Sequence, residues 1–110
     1  MTYVFDIDGT ICNNTFGNYD KAEPFLERIK LINELYEDGN KIVFFTARGM
    51  KSLNGDIGEV YKKYFDLTEV QLKVWKVKYT ELRLGKPSGD FYIDDKGVND
   101  ADFFRTNLRP

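Results

Sequence analysis

The sequence predicts an α/β fold built on a mostly parallel sheet, and three observations carry the prediction. Short runs of β-branched and aromatic residues recur at 3–7, 42–45 and 91–93. An amphipathic helical pattern separates the first two, and each run ends in a polar cluster: Asp6/Asp8, Thr46/Arg48 and Asp94/Asp95. With 110 residues, 42% of them apolar, the chain suffices for one compact domain over 1–110 and is too short for two.

The elements follow in order. Tyr3, Val4, Phe5 and Ile7 are apolar on both faces, as a central strand of a covered parallel sheet would be. The stretch "GTICNNTFGNYDKAE" is rich in turn residues and reads as a loop or small flap over the end of that strand. Its aromatic residues, Phe16 and Tyr19, either close over a substrate or anchor the loop. Pro24 suits a first helical position, with Asp20 and Glu23 at capping-box spacing before it. Phe25, Ile29, Ile32, Leu35 and Tyr36 continue at helical spacing, and Asp38-Gly39-Asn40 supplies the stop. "KIVFFTARG" then gives a second buried strand over 42–45, completing a right-handed strand–helix–strand crossover. A short helix is expected over 56–64, a second from Thr68 to Trp75, and a strand within 77–84. "DFYIDDKG" reads as a last strand ending in two acids, and "VNDADFF" as a closing helical turn or two.

Composition removes several function classes. A formal net charge of -2 gives no overall attraction to nucleic acid or to an anionic membrane surface. The locally basic stretch of Lys73, Lys76, Lys78 and Arg83, with Trp75 and Tyr79 interleaved, reads as a solvated face before it reads as a nucleic-acid surface. No segment approaches the roughly 20 apolar residues of a membrane span, and no signal-peptide pattern opens the chain, so a soluble, cytoplasmic protein is expected. Cys12 is the single cysteine and reads as a packing residue; no internal disulfide is available. With no histidine, Ser-His-Asp and Cys-His catalysis and most zinc sites are absent. Carboxylates and lysines must carry any chemistry.

In open parallel sheets, ligands bind beyond the carboxyl ends of the strands. That edge is expected to gather Asp6, Asp8, Thr46, Lys86, Asp94 and Asp95. At ~4 Å and an effective dielectric near 20, each pair of like charges costs about 4 kcal/mol, so four carboxylates there call for a cation. Oxygen ligands without histidine or thiolate select a hard divalent ion, usually Mg2+, which commonly retains substrate phosphate oxygens in its shell. A phosphate ester is therefore the first substrate class. Thr46, the backbone N–H groups of the Ala47-Arg48-Gly49 turn and Lys86 would hold the phosphoryl group. One aspartate of the pair would attack phosphorus; the other would serve the leaving oxygen and then the water that breaks the aspartyl-phosphate. Gly9 lets the backbone turn sharply behind them.

"DIDGT" after an apolar strand, a strand ending in Thr46, Lys86 in "LGKP", and Asp94-Asp95 in "YIDDK" resemble, in order, the four motifs of the haloacid dehalogenase-like superfamily. Together they frame residues 4–100. The resemblance implies a Rossmann-like three-layer sandwich and, with aspartate at both acid positions, a phosphatase or phosphotransferase. It makes Asp6 the nucleophile and a metal ligand, and Asp8 the acid/base with its backbone carbonyl on the metal. Thr46 and Lys86 become phosphate ligands, and Asp95 with Asp94 the remaining metal ligands. Many members carry a further acid where this chain has Asn99, with Asp100 one residue later, and either is a candidate to support the metal through water. Arg48 either contacts the leaving group or pairs with an acid.

Only 37 positions separate Asp8 from Thr46 and 39 separate Thr46 from Lys86, leaving no room for a cap domain. A capless member needs its open site covered by its flap, a large substrate or a neighbouring subunit in a homo-oligomer. "FDIDGTICNNT", "FFTARGM" and "GKPSGDFYIDDKGVN" are most similar to the short phosphatases of capsule and surface-polysaccharide biosynthesis, which implies a sugar phosphate as substrate. The competing expectations are a phosphatase for nucleotides, nucleic-acid ends or phosphoproteins, a phospho-accepting signalling domain, and a binding module that has retired from catalysis.

Overall fold

A computed structural model describes residues 1–107. Its elements are β1 (Thr2–Phe5), a 3-10 turn (Tyr19–Lys21), α1 (Leu26–Glu37), β2 (Lys41–Thr46), α2 (Ile57–Val74), β3 (Glu81–Leu84) and α3 (Asp100–Asn107). The three strands form a parallel sheet in the order β1-β2-β3, with Val4 beside Val43 and Phe44 beside Leu82. Among the described residues no helix is long and apolar enough to cross a membrane.

Alternation along β2 sends Ile42, Phe44 and Thr46 to one face and Val43 and Phe45 to the other. The core is built on the first face. Phe5, Ile42, Phe44, Leu82 and Leu84 join Ile29 and Ile32 of α1, Val60 and Leu72 of α2 and Phe104 of α3 in one buried cluster. The rings of Tyr3 and Phe5 meet Phe103 edge-on, which fastens α3 over β1. Val4, pointing the other way, is 62% exposed. The structure thus shows an α/β domain whose core lies on one side of its sheet, and the layer expected on the other side is not seen for β1.

Several sequence expectations are corrected. β1 lies at the sheet's edge, not its centre, because its expected outer neighbour is missing: residues 91–95 form no strand, and Phe91 and Ile93 stand 85% and 93% exposed. Pro24 does not open α1. It pairs with Cys12 in an isolated bridge, and Phe25 takes the cap position without a side-chain bond. The two short helices expected over 56–75 are one, α2, capped where Asp56 accepts from the Glu59 amide. No glycine or proline interrupts residues 59–75, so nothing in the backbone calls for a break. Tyr79, from the basic stretch, turns inward onto Phe44, while Lys78 pairs with Glu37 and Arg83 with Glu81.

Candidate active site

The end of β1 runs directly into a tight turn. The Thr10 and Ile11 amides both donate to the Ile7 carbonyl, and Gly9, at φ +82, donates back to Cys12. Ile7, Ile11 and Cys12 are fully buried, so this turn is packed into the core rather than hung from it. Asp6 and Asp8 leave it on either side of Ile7 and meet different partners.

Asp6 Oδ1 stands 4.0 Å from the Lys86 ammonium. Lys86 is carried there by the turn after β3, where Gly85 adopts φ +93 and the Lys86 amide donates to the Thr46 carbonyl. Burial raises the Asp6 carboxyl above its ordinary value, with Asp8 adding to the rise and Lys86 opposing it. The Lys86 ammonium also lies over the Tyr92 ring, 4.3 Å from its centre.

Asp8 is bound to Arg48. The guanidinium donates from Nε to Oδ2 and from Nη2 to Oδ1, each at 2.9 Å. The Arg48 side chain has no exposed surface; it also donates to Thr68 Oγ1 at 3.3 Å and lies over the face of Tyr19 at 4.8 Å. Tyr19 is held in turn: its hydroxyl accepts from the Gly49 amide, its carbonyl from Gln71, and its ring meets Tyr64 edge-on. The alternatives for the flap aromatics therefore divide. Tyr19 anchors the flap to α2, whereas Phe16, at the flap's left-handed tip, is 90% exposed.

Thr46 is buried, and its hydroxyl accepts from the Arg48 amide. The Gly49 amide is engaged by Tyr19, so among the described residues only the Ala47 amide, of the three turn amides expected to meet phosphate, donates to no protein acceptor. Cys12 Sγ lies 3.6 Å from Asp8 Oδ1, and burial, reinforced by the Asp8 charge, pushes its thiol up to about 12. It is a packing residue, as its sequence position suggested.

Asp94 and Asp95 are not brought to this edge within one copy. Asp94 Oδ1 accepts from the Lys96 and Gly97 amides in a local turn, and both acids sit on the exposed segment. Among the described residues no group of three or more His, Cys, Asp and Glu side chains is placed to share a metal ion. Asn99 immediately precedes α3, its side chain accepting from the Ala101 amide, and Asp100 pairs with Arg28 at 2.7 Å. Two open surface hollows of about 500 Å³ lie elsewhere, one along α1 near Trp75 and one between α1 and α3; neither is lined by Asp6, Asp8 or Lys86.

Sequence reasoning missed the surround of Arg48. Thr68 was read as a helix start, yet it is fully buried inside α2 beneath the guanidinium. The available signal was Arg48 itself, a charge directly after a buried strand, which requires a buried partner.

Neither a scan of protein-family models nor a search of curated proteins finds a match. Among solved structures, the crystal structure of a structural genomics target from Vibrio cholerae matches with a TM-score of 0.88 and 32% identity, over 97% of this chain and 89% of that one. The chain belongs to the family of that Vibrio cholerae protein. Nearly the whole of both chains aligns, so the two share the backbone fold described above.

Proposed function

We propose that this protein is a phosphomonoester hydrolase of the haloacid dehalogenase-like type, working through an aspartyl-phosphate on Asp6. The observation that carries the reading is the Asp6 carboxylate facing the Lys86 ammonium at 4.0 Å, at the carboxyl end of a parallel strand, with a second aspartate two residues on. The fold is a small parallel α/β domain in which ligands are expected at that edge.

The resemblance implies Mg2+, which would supply charge neutralisation at the phosphoryl group. The residues of a single copy do not fit it: among the described residues no three acids are placed to share an ion, and Asp94 and Asp95 lie on the exposed segment. The steps that follow belong to this chain's own side chains. A phosphoryl group entering between Asp6 and Lys86 would receive charge-assisted hydrogen bonds from the ammonium and a hydrogen bond from the Ala47 amide. An Asp6 oxygen attacks phosphorus and the ester oxygen departs. Asp8, whose two oxygens both accept from Arg48, enters as a carboxylate: the departing ester oxygen takes its proton from solvent, and Asp8 takes one from the water that then breaks the aspartyl-phosphate. A sugar phosphate is the first substrate class, from the likeness to short polysaccharide-biosynthesis phosphatases.

The test is phosphate release by wild type and Asp6→Asn, with Mg2+ or EDTA, across sugar phosphates, nucleotides and phosphorylated polymers. Turnover lost in Asp6→Asn is expected, with sugar phosphates hydrolysed fastest, and the Mg2+ and EDTA arms read whether a metal takes part. Stable phosphorylation of Asp6 without turnover would instead identify a phospho-accepting domain.

A further inference from the structure

The outer edge of β1 and residues 91–95 are two halves of an unmade pairing. Among the described residues β1 bonds only to β2, leaving its other edge open. Phe91, Tyr92 and Ile93 are strong strand formers, yet they stand 85%, 55% and 93% exposed. Among the described residues no backbone group from 87 to 98 hydrogen-bonds to another backbone group. An open edge and an exposed apolar strand former each invite a partner.

The chain cannot make this pairing with itself in the useful direction. To stand beside Asp6, Asp94 and Asp95 must end a strand that runs parallel to β1. Lys86 follows β3, its amide donating to the Thr46 carbonyl at the carboxyl end of β2. The start of such a strand lies three strand spacings from β3 and four residues down, about 14 Å by 13 Å, with the sheet in between. Only Pro87, Ser88, Gly89 and Asp90 separate Lys86 from Phe91, a reach of about 17 Å if stretched straight through the sheet. Parallel crossovers take roughly a dozen residues or more. An antiparallel fold-back is within reach but carries both acids to the far end of β1.

We propose that residues 91–95 add in parallel to the β1 edge of a second copy of this chain, and reciprocally, about a two-fold axis. Each Asp6/Asp8 end then receives Asp94 and Asp95 from its partner, and lifting Tyr92 away frees the Lys86 ammonium. The carboxylate count missing from one copy is met by two. The use made of those carboxylates rests on the phosphatase reading; the interface does not.

The experiment measures mass by light scattering after size exclusion, at tens of micromolar protein, for wild type and Phe91→Ser/Ile93→Ser. Both substitutions fall on side chains exposed in a single copy, so the variant should keep the helical circular dichroism and a cooperative melt. Wild type at twice the protomer mass, with the variant at one, supports the exchange. A monomeric wild type, or a dimer that survives both substitutions, overturns it. Site sharing is read by refolding Asp6→Asn together with Asp94→Asn/Asp95→Asn. Random pairing should restore about a quarter of wild-type phosphate release, because half of the dimers are mixed and each holds one intact site. No recovery beside an active wild type, or a fully active Asp94→Asn/Asp95→Asn, overturns the sharing. A wild type that releases no phosphate defeats the phosphatase reading and leaves the mass result to decide the interface.

Discussion

Arg48 closes on Asp8 with two parallel hydrogen bonds, joining residues 40 positions apart and burying the guanidinium completely. Removing one member of such a pair strands the other. Arg48→Ala is expected to cost about 3–5 kcal/mol, read by urea denaturation. Arg48→Lys keeps the charge but loses the fork, so its cost should fall between Ala and wild type. Equal stability of all three would mean the pair contributes nothing.

Gly49 has the tightest surroundings of the glycines. At φ +77, a β-carbon there would sit 2.4 Å and 2.5 Å from Tyr64 ring atoms. Gly49→Ala combines backbone strain with overpacking and should cost about 1–3 kcal/mol. It should also loosen the flap, since the Gly49 amide is Tyr19's partner; faster hydrogen exchange over residues 13–23 would report it.

Tyr19 and Phe16 should separate cleanly under mutation. Tyr19→Phe loses only the acceptor for Gly49 and should cost about 0.5–1.5 kcal/mol, whereas Phe16→Ser should leave the melting temperature within a degree or so of wild type. If Phe16→Ser raises KM for the best substrate without changing stability, the flap tip touches the substrate.

The raised Asp6 carboxyl sets a pH dependence. Its folded value lies above the ordinary 3.8, so ionising it opposes folding: the penalty is absent below that value and fully present above the folded one. Asp6→Asn removes the penalty. In EDTA the variant should melt higher than wild type near pH 7, by a few degrees at most because 37% of the side chain still meets solvent, and the gap should close as pH falls toward 4. A gap that widens in acid would contradict the assigned cause.

Cys12 should be silent in the native protein. Buried and with its thiol pushed up to about 12, it is expected to resist thiol reagents at pH 8 and to react only in denaturant. Rapid labelling of the folded chain would show that the turn after β1 opens.

Local patterns were legible. The stretch 42–45 was read as a strand because four consecutive apolar residues lie between a turn and a polar cluster, and β2 is found at Lys41–Thr46. The α1 stop at Asp38-Gly39-Asn40 was read from turn chemistry, and Gly39 adopts φ +93 there. The capping box before Pro24 misled because Pro24 is drawn into a bridge with Cys12, a contact no local rule contains. Residues 91–95 misled for a related reason: their composition is that of a strand, but a strand exists only where a neighbour completes its hydrogen bonds.

The sequence by itself determined which residues could do chemistry and where they fall relative to each strand's end, because side-chain type and short-range periodicity are local properties. Only the tertiary structure decided that β1 is an edge, that Asp8 belongs to Arg48 and Asp6 to Lys86, and that Asp94 and Asp95 stand apart from both within one copy. Those outcomes depend on how far four residues of chain can reach and on which side chain lies opposite a buried charge, and both are set by the path of the whole backbone through space.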